Sequence, residues 1–288
     1  MNLRQTITAA TARIAAHPEL QADAQRDAEL LLLHILGAAR TVLFTDPDRV
    51  LSDAEQRRFD AAVARRVEGE PIQYITGEQE FYGLALHVTP AVLIPRPETE
   101  LLVEAVLERL PVASAAPLRV ADIGTGSGAI SIALAVHRAD LHVTTLDISP
   151  MALAVARENA VRHKVADRIR FLESDLLGAV AWEPAFDAVV SNPPYVPEGD
   201  RDTLHAQVRE HEPETALFAG PEGMDIYRRL IPQARAALKP SGLLALEFGY
   251  GQREGLTELL HGWKDVAFLE DLQGIPRVAL ALKAGNGE

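Results

Sequence analysis

No cysteine occurs among the 288 residues, which excludes disulfides, thiolate nucleophiles and zinc or iron–sulfur sites built on thiolates. No apolar run reaches the ~18 residues that a membrane helix needs. The richest stretch, LRVADIGTGSGAISIALAV, is broken by Arg119 and Asp122. The N-terminal MNLRQTITAATARIAAHPEL lacks the continuous apolar core of a secretory signal. Basic residues are in deficit: 28 Lys and Arg against 41 Asp and Glu leave a net charge of −13. Such a balance argues against direct nucleic-acid binding, which rests on Lys and Arg neutralising phosphates. The nine histidines show no HExxH or HxH spacing, so no metal site is expected. What remains is a cytoplasmic globular protein, 48% hydrophobic, with chain enough for roughly two domains at ~150 residues each.

The chain changes character along its length. Residues 1–71 are rich in Ala, Leu, Arg, Glu and Gln and predict an N-terminal helical bundle. DAQRDAELLLLHILG reads as an amphipathic helix stopped by Gly37. SDAEQRRFDAAVARRVEG opens on Ser52 as N-cap, with Glu55 three residues on, and stops at Gly69. The basic Arg57, Arg58, Arg65 and Arg66 read as a solvated face, or as a surface for an acidic partner. Residues 72–94, with aromatic and β-branched side chains around Gly77 and Gly83, predict a linking β-hairpin. Residues 95–288 alternate apolar runs with helical patterns: LRVADIG, LHVTTLD, RIRFLES, FDAVVSN, GLLALEF and RVALALK are the strand candidates. That alternation means a mostly parallel sheet with helices on both faces, and such sheets bind ligands at the carboxyl ends of their strands.

Three strand ends carry chemistry. ADIGTGSGAI places Gly124, Gly126 and Gly128 in a strand-to-helix turn, where the backbone folds tightly and approaches a ligand closely. Asp147 ends the next strand, where a carboxylate accepts from vicinal ribose hydroxyls; as an N-cap it would serve the following helix instead. Asp175 ends the third, placed to accept from an exocyclic adenine amine, with Leu176 packing on the ring; a capping or solvated role also fits it. These features serve a nicotinamide dinucleotide and S-adenosylmethionine equally.

The fourth strand ends in SNPPYVP: an amide, Asn192, then Pro193, Pro194 and Tyr195. Two prolines remove two backbone donors and end the ladder. A nicotinamide oxidoreductase or a cofactor sensor has no evident need of them. The stretch resembles the (D/N/S)PP(Y/F) signature of methyltransferases that modify planar nitrogens. With QYITGEQEFYG, LIPRPETELLVE, ADIGTGSGAI and HEPETALFAGPEGMDIYRRLI, nearly the whole chain resembles the HemK-type release factor glutamine methyltransferases.

The resemblance implies an α/β fold: a Rossmann-like, doubly wound, mostly parallel seven-stranded sheet behind a small helical domain that docks the partner. It implies S-adenosylmethionine as cofactor, with S-adenosylhomocysteine as product. The cofactor would lie along Gly124, Thr125, Gly126, Ser127 and Gly128, with Asp147 and Asn192. The expected reaction is methylation of the amide N5 of the glutamine in the Gly-Gly-Gln motif of class I peptide chain release factors, a step that supports translation termination. Asn192 and the Pro193 carbonyl would accept the two N–H bonds of the target amide, and Tyr195 would stack on its plane. Asn192 to Tyr195 thus form the substrate site, with Asn192, Pro193 and Tyr195 catalytic. One departure is Leu176, where relatives can carry Trp or Phe. Ribosomal-protein glutamine and nucleic-acid adenine-N6 methyltransferases share the signature and stand as alternatives. The PRPETE motif favours the release factor enzymes; its Arg96 or Glu100 is a candidate to brace the NPPY loop or the methionine end of the cofactor, and a helix start with Pro97 in its first turn and a dipole-matched Glu98 also accounts for the motif.

Overall fold

The computed structural model describes residues 1–111, 116–180 and 185–285. Its chain starts with α1 (Leu3–Ile14), α2 (Ala24–Leu36), α3 (Val42–Thr45), α4 (Asp53–Val67) and α5 (Ile72–Thr76). Two of these begin on the same device. Asn2 with Gln5, and Ser52 with Glu55, each form a capping box in which the cap side chain and the third helical residue satisfy each other's backbone N–H. Gly37 ends α2 in the left-handed region, as its position after the last apolar residue predicts.

These helices form one unit, Met1–Glu78 together with Leu204–His211. Its core is Leu3, Ile14, Leu31, Leu32, Phe59 and Val63 with their neighbours. Arg66 does not lie on a solvated face. Its guanidinium is buried and pairs with Asp27 at 2.6 Å, while also donating to the Glu70 carbonyl at 3.0 Å and to Gln207 Oε1 at 2.8 Å. Helical periodicity places Arg66 beside its exposed neighbour Arg65, and nothing in the local pattern reveals that Asp27 faces it.

The second unit comprises Gln79–Thr203 and Glu212–Glu288. The hairpin is shorter than the sequence suggests. Gly77 ends α5 instead of turning a strand, and only β1 (Glu78–Phe81) and β2 (Leu84–His87) pair. They join through Tyr82 and Gly83, both left-handed at φ 52° and 74°, the geometry that matches strand twist in a two-residue turn. A 3-10 turn at Pro97–Thr99 leads into α6 (Glu100–Arg109). Then follow β3 (Leu118–Ile123), α7 (Ala129–His137), β4 (Leu141–Asp147), α8 (Pro150–Arg162), β5 (Ile169–Glu173) and β6 (Phe186–Ser191). After α9 (Ala206–His211), which belongs to the first unit, come α10 (Asp225–Ala237), β7 (Leu238–Glu247), α11 (Arg253–Leu259), β8 (Lys264–Glu270) and β9 (Pro276–Leu282).

The seven strands are ordered β5-β4-β3-β6-β7-β9-β8, parallel except where β9 meets β7 and β8. Both faces are covered, which explains the near-continuous apolar strands. Val120, Val143 and Val190 face one way, packed with α6 and α7 side chains such as Leu102 and Ile132. Ala121, Val189 and Leu244 face the other, against Tyr227 and Leu230 of α10. The strand absent from the sequence reading is β8: it pairs only with β9 and is mostly exposed or half-buried, so it lacks the apolar run of its neighbours. No helix among the described residues is long and apolar enough to cross a membrane.

Replacing Asp27 with Ala leaves the Arg66 guanidinium buried without its carboxylate, a change that costs about 3–5 kcal/mol. Urea unfolding followed by helical circular dichroism will read this as a lowered midpoint; an unchanged midpoint would show the pair to be dispensable.

Candidate active site

Four strand ends line up along one edge of the sheet. Ile123 sits beside Leu146 on one side and Ser191 on the other, and Ser191 sits beside Leu246. The chain builds outward from β3 through β4 to β5, then restarts at β6 on the other side. The reversal between β3 and β6 opens a crevice, the position where sheets of this kind hold ligands. A cavity of about 350 Å³ lies there, lined by Gly124, Gly126, Asp147, Leu176, Asn192 and Pro193, with Pro213, Thr215, Ala216 and Phe218 from the long segment after the NPPY loop. That segment is stitched to the loop by Val196 N–H to the Leu217 carbonyl at 2.8 Å and Ala219 N–H to the Val196 carbonyl at 3.0 Å.

The glycine turn has two sides. Gly126, at φ 53°, has no atom within 4 Å of where a Cβ would stand, so its open side faces the cavity. Gly128, at φ 83°, is packed: a Cβ there would stand 2.9 Å from Ile132 Cδ1 and 3.1 Å from Ala156 Cβ. Thr125 and Ser127 are buried and do not line the cavity. Thr125 Oγ1 donates instead to Asp122 Oδ2 at 2.8 Å, and the Ser127 carbonyl accepts from Asn159 Nδ2 at 2.9 Å.

Asp147 lines the cavity and is no N-cap; Ser149 caps α8 by accepting from the Ala152 N–H at 3.2 Å. The two Asp147 oxygens accept from Gly126 N–H and Ser149 N–H, each at 2.9 Å, which fixes the carboxylate and leaves each oxygen a lone pair. Burial nevertheless holds its pKa above the ordinary value. Asp175 and Leu176 also line the cavity, Leu176 in the left-handed region at φ 52°. Asp175 pairs with Arg229 at 2.5 Å on the exposed rim, a contact that solvent makes weak.

Asn192 donates from Nδ2 to Thr99 Oγ1 at 3.0 Å. Behind it, a hydrogen bond with the Thr99 hydroxyl is the largest influence that lowers the pKa of the Glu247 carboxyl against its burial. Neither Asn192 Oδ1 nor the Pro193 carbonyl accepts a hydrogen bond from any described residue, and both residues line the cavity. Tyr195 is placed differently from the sequence expectation. Its ring packs against Gly249, its carbonyl accepts from Gln252 Nε2 at 2.8 Å, and it does not line the cavity. Burial, with the Glu247 charge next, raises its phenol pKa.

The PRPETE residues divide their tasks. Arg96 pairs with the buried Glu212 at 2.6 Å, and Glu100 accepts from the Tyr82 N–H at 2.8 Å. Thr99, between them, reaches Asn192. Thr99, Glu247 and Asp122 are the residues that sequence reasoning missed. Asp122 and Glu247 had a signal: each is the lone carboxylate of its strand, at or near the carboxyl end. Thr99 is the one hydroxyl of its motif. Asp122 is fully buried under the glycine turn, accepting from Thr125 and from Ser131 Oγ at 2.6 Å. Desolvation pushes its pKa up to about 6, and that of Glu247 up to about 7. Among the described residues no cluster of His, Asp or Glu is arranged to hold a metal ion.

Both buried carboxyls bind a proton more tightly folded than unfolded. Their protonated forms are favoured in the fold, so stability falls as pH rises from the ordinary carboxylate range through about 6 and about 7. The carboxylates with lowered pKa, such as Asp140 and Glu55, are ionised in both states above that range and add no slope. The melting temperature should therefore fall between about pH 5 and pH 8, and Asp122→Asn should flatten part of the fall. A melting temperature that rises over this range contradicts the burial assigned to both groups.

Comparison with known proteins bears on the arrangement. Residues 5–77 match the family profile described as PrmC N-terminal domain, and residues 97–212 match Methyltransferase small domain. The release factor glutamine methyltransferase of Koribacter versatilis is 48% identical over 89% of this chain and 90% of its own. That of Moorella thermoacetica is 42% identical over 98% of this chain and 99% of its own. A crystal structure of a methyltransferase from Pyrococcus furiosus superposes with a TM-score of 0.50 at 18% identity, over 81% of this chain and 100% of that one, and shares the fold. A match at this identity over nearly the full length, with the cavity at the β3–β6 crevice, leaves one assignment: the chain belongs to the release factor glutamine methyltransferase family.

Proposed function

We propose that the protein transfers a methyl group from S-adenosylmethionine to the side-chain nitrogen of the glutamine in the Gly-Gly-Gln motif of class I release factors. The observation that carries this reading is the polarity of the NPPY loop. Asn192 spends its N–H₂ on Thr99, which leaves its Oδ1 and the neighbouring Pro193 carbonyl as two free acceptors on one cavity wall. A primary carboxamide nitrogen carries two N–H bonds, the complement of that pair.

The residues present fit the cofactor. A cavity of about 350 Å³ is in the range of small-molecule sites. The bare side of Gly126 admits a ligand against the backbone, and Asp147 would hold vicinal ribose hydroxyls with its remaining lone pairs. Leu176 offers an apolar face to a flat ring, and Asp175 an acceptor at the rim. When bound, the cofactor supplies a methyl group on a positively charged sulfonium. The protein's part is to prepare the nitrogen. An amide lone pair is delocalised into its carbonyl, so the nitrogen must be held with that lone pair directed at the methyl. Asn192 Oδ1 and the Pro193 carbonyl fix the plane by its two N–H bonds, and both bonds strengthen as positive charge grows on nitrogen. Pro193 and Pro194 stiffen the loop so that the acceptors need no reorganisation. The proton stays on an accepting oxygen's hydrogen bond until water takes it, and no strong base is required. Tyr195 anchors the end of the loop, its ring against Gly249 and its carbonyl bonded to Gln252 Nε2 at 2.8 Å.

We infer a docking role for the helical unit, residues 1–71, joined by the 72–94 segment to the methyltransferase domain, 95–288. Residues 5–77 match a profile of their own, the PrmC N-terminal domain, apart from the methyltransferase match at 97–212, which leaves this unit free for a task other than the transfer. A nucleic-acid adenine is the weaker acceptor on charge: the net −13 gives no basic stripe to carry phosphates.

Labelled S-adenosylmethionine offered separately with a class I release factor, a ribosomal protein carrying a target glutamine, and duplex DNA should mark only the release factor. Label in DNA alone would overturn the reading. Asn192→Ala should abolish transfer, by about 10²-fold or more, while the cofactor still binds by calorimetry; near-normal turnover would contradict its role. The two glycines separate binding from folding. Gly126→Ala should weaken cofactor binding with a small loss of stability. Gly128→Ala, strained and overpacked, should cost about 1–3 kcal/mol of stability. Equal effects on both quantities at both sites would show that the turn does not face the cofactor as described.

A further inference from the structure

Thr99 accepts from Asn192 Nδ2 at 3.0 Å, and its hydroxyl bears in turn on the Glu247 carboxylate. Thr99 is 4% exposed and Glu247 2%. Neither lines the cavity, so neither is placed to meet substrate. An asparagine amide is nearly symmetric in shape and opposite in polarity at its two ends. Rotating it by half a turn would present an N–H₂ group to the cavity, and a donor there would face the two donors of a carboxamide.

A threonine hydroxyl does not by itself choose an end, since it both donates and accepts. An ionised carboxylate is acceptor-only. It takes the hydroxyl's one proton, so Thr99 Oγ1 is left as an acceptor towards Asn192. The observed bond, Nδ2 to Oγ1 at 3.0 Å, is the one this chain of donors requires. We propose that Thr99 and Glu247 are positioning residues that fix which end of the Asn192 amide faces the cavity, and that ionised Glu247 sets the direction of the relay. The proposal rests on the reading of Asn192 Oδ1 as an acceptor for the target nitrogen.

The carboxylate is costly where it stands. It is buried, forms no ion pair with a described residue, and its Oε2 has no hydrogen-bond partner. A packing role alone is met at lower cost by an apolar side chain. The groups that bear on it come from every element around it. Arg277 of β9 favours its charge, Glu98 of the 3-10 turn opposes it, and the Tyr195 hydroxyl supports it. The Tyr227 hydroxyl of α10 donates to the Glu247 backbone carbonyl at 2.8 Å. Burial is the largest influence and raises the carboxyl into the neutral range. Once protonated, Glu247 donates to Thr99, the hydroxyl's proton is freed towards Asn192, and the amide loses its preference. Turnover should then fall on the acid side of neutrality.

The experiment is steady-state methylation of a class I release factor by wild type, Thr99→Val, Thr99→Ser, Glu247→Gln and Asn192→Ala, with S-adenosylhomocysteine affinity and melting temperature measured for each. Thr99→Val should lower kcat by about 10- to 100-fold, with KM for the release factor and cofactor-product affinity changed little. Thr99→Ser, which keeps the hydroxyl, should recover most of kcat. The wild-type kcat profile should show an acid limb near neutrality that Glu247→Gln removes. Normal kcat in Thr99→Val, or failure of Thr99→Ser to recover it while folded, overturns the proposal. A wild-type profile identical to that of Glu247→Gln overturns the carboxylate's part, and this arm needs no Thr99 variant to fold. Failure of the underlying reading is separable: Asn192→Ala would then retain transfer, whereas failure of the relay alone leaves Asn192→Ala inactive and Thr99→Val active.

Discussion

One hydrogen bond, from Asn192 Nδ2 to Thr99 Oγ1, decides what the cavity offers to a ligand. With that bond made, the end of β6 presents two acceptors in a row; without it, the loop presents an amide of undefined polarity. The rest of the second unit is arranged so that the bond forms. The 3-10 turn at Pro97–Thr99 brings the hydroxyl to the sheet edge, and Arg96 and Glu100 on either side hold that turn through Glu212 and the Tyr82 N–H. The end of β7 supplies the carboxylate behind the hydroxyl. Three segments far apart in sequence thus converge on one side chain.

The convergence follows from sheet topology. In a parallel sheet all carboxyl ends lie on one edge, and the reversal of strand order between β3 and β6 keeps helices from closing the crevice there. On the β3 and β4 side the edge is built from backbone and carboxylate: the glycine turn accepts close approach, and Asp147 is tied to it by the Gly126 N–H. On the β6 and β7 side the edge is built from amide, hydroxyl and buried acid. A sulfonium donor and a carboxamide acceptor suit these two halves respectively. Charge lies on the first half, in the Asp175–Arg229 pair at the rim and at depth, while Asn192 and Pro193 offer neutral acceptors.

Much of this was legible in the sequence because it depends on local patterns. Strand-end motifs at ADIGTGSGAI, LHVTTLD and SNPPY have a fixed meaning once the sheet is parallel, and the capping box at Ser52 and Glu55 stands where it was read. Other features were not legible, each for a physical reason. Strand β8 is an edge strand with half its side chains in solvent, so its composition does not differ from a loop. The burial of Arg66 depends on Asp27, 39 positions earlier, and helix periodicity carries no information about such a partner. A stacking role puts Tyr195 on the cavity, but its ring turns to Gly249, where the absence of a side chain makes room for it. Thr99 lay inside a motif already noticed, hidden by its charged neighbours.

Methyl transfer here requires a ternary geometry: cofactor product and a carboxamide in the same crevice, with the amide nitrogen facing the NPPY loop. A crystal structure of the protein with S-adenosylhomocysteine and a peptide carrying Gly-Gly-Gln tests it most directly. The glutamine nitrogen should lie within ordinary hydrogen-bond reach, about 2.7–3.2 Å, of both Asn192 Oδ1 and the Pro193 carbonyl, with Asn192 Nδ2 still on Thr99. A glutamine whose carbonyl, not its nitrogen, meets Asn192, or one bound away from the β3–β6 crevice, would contradict it.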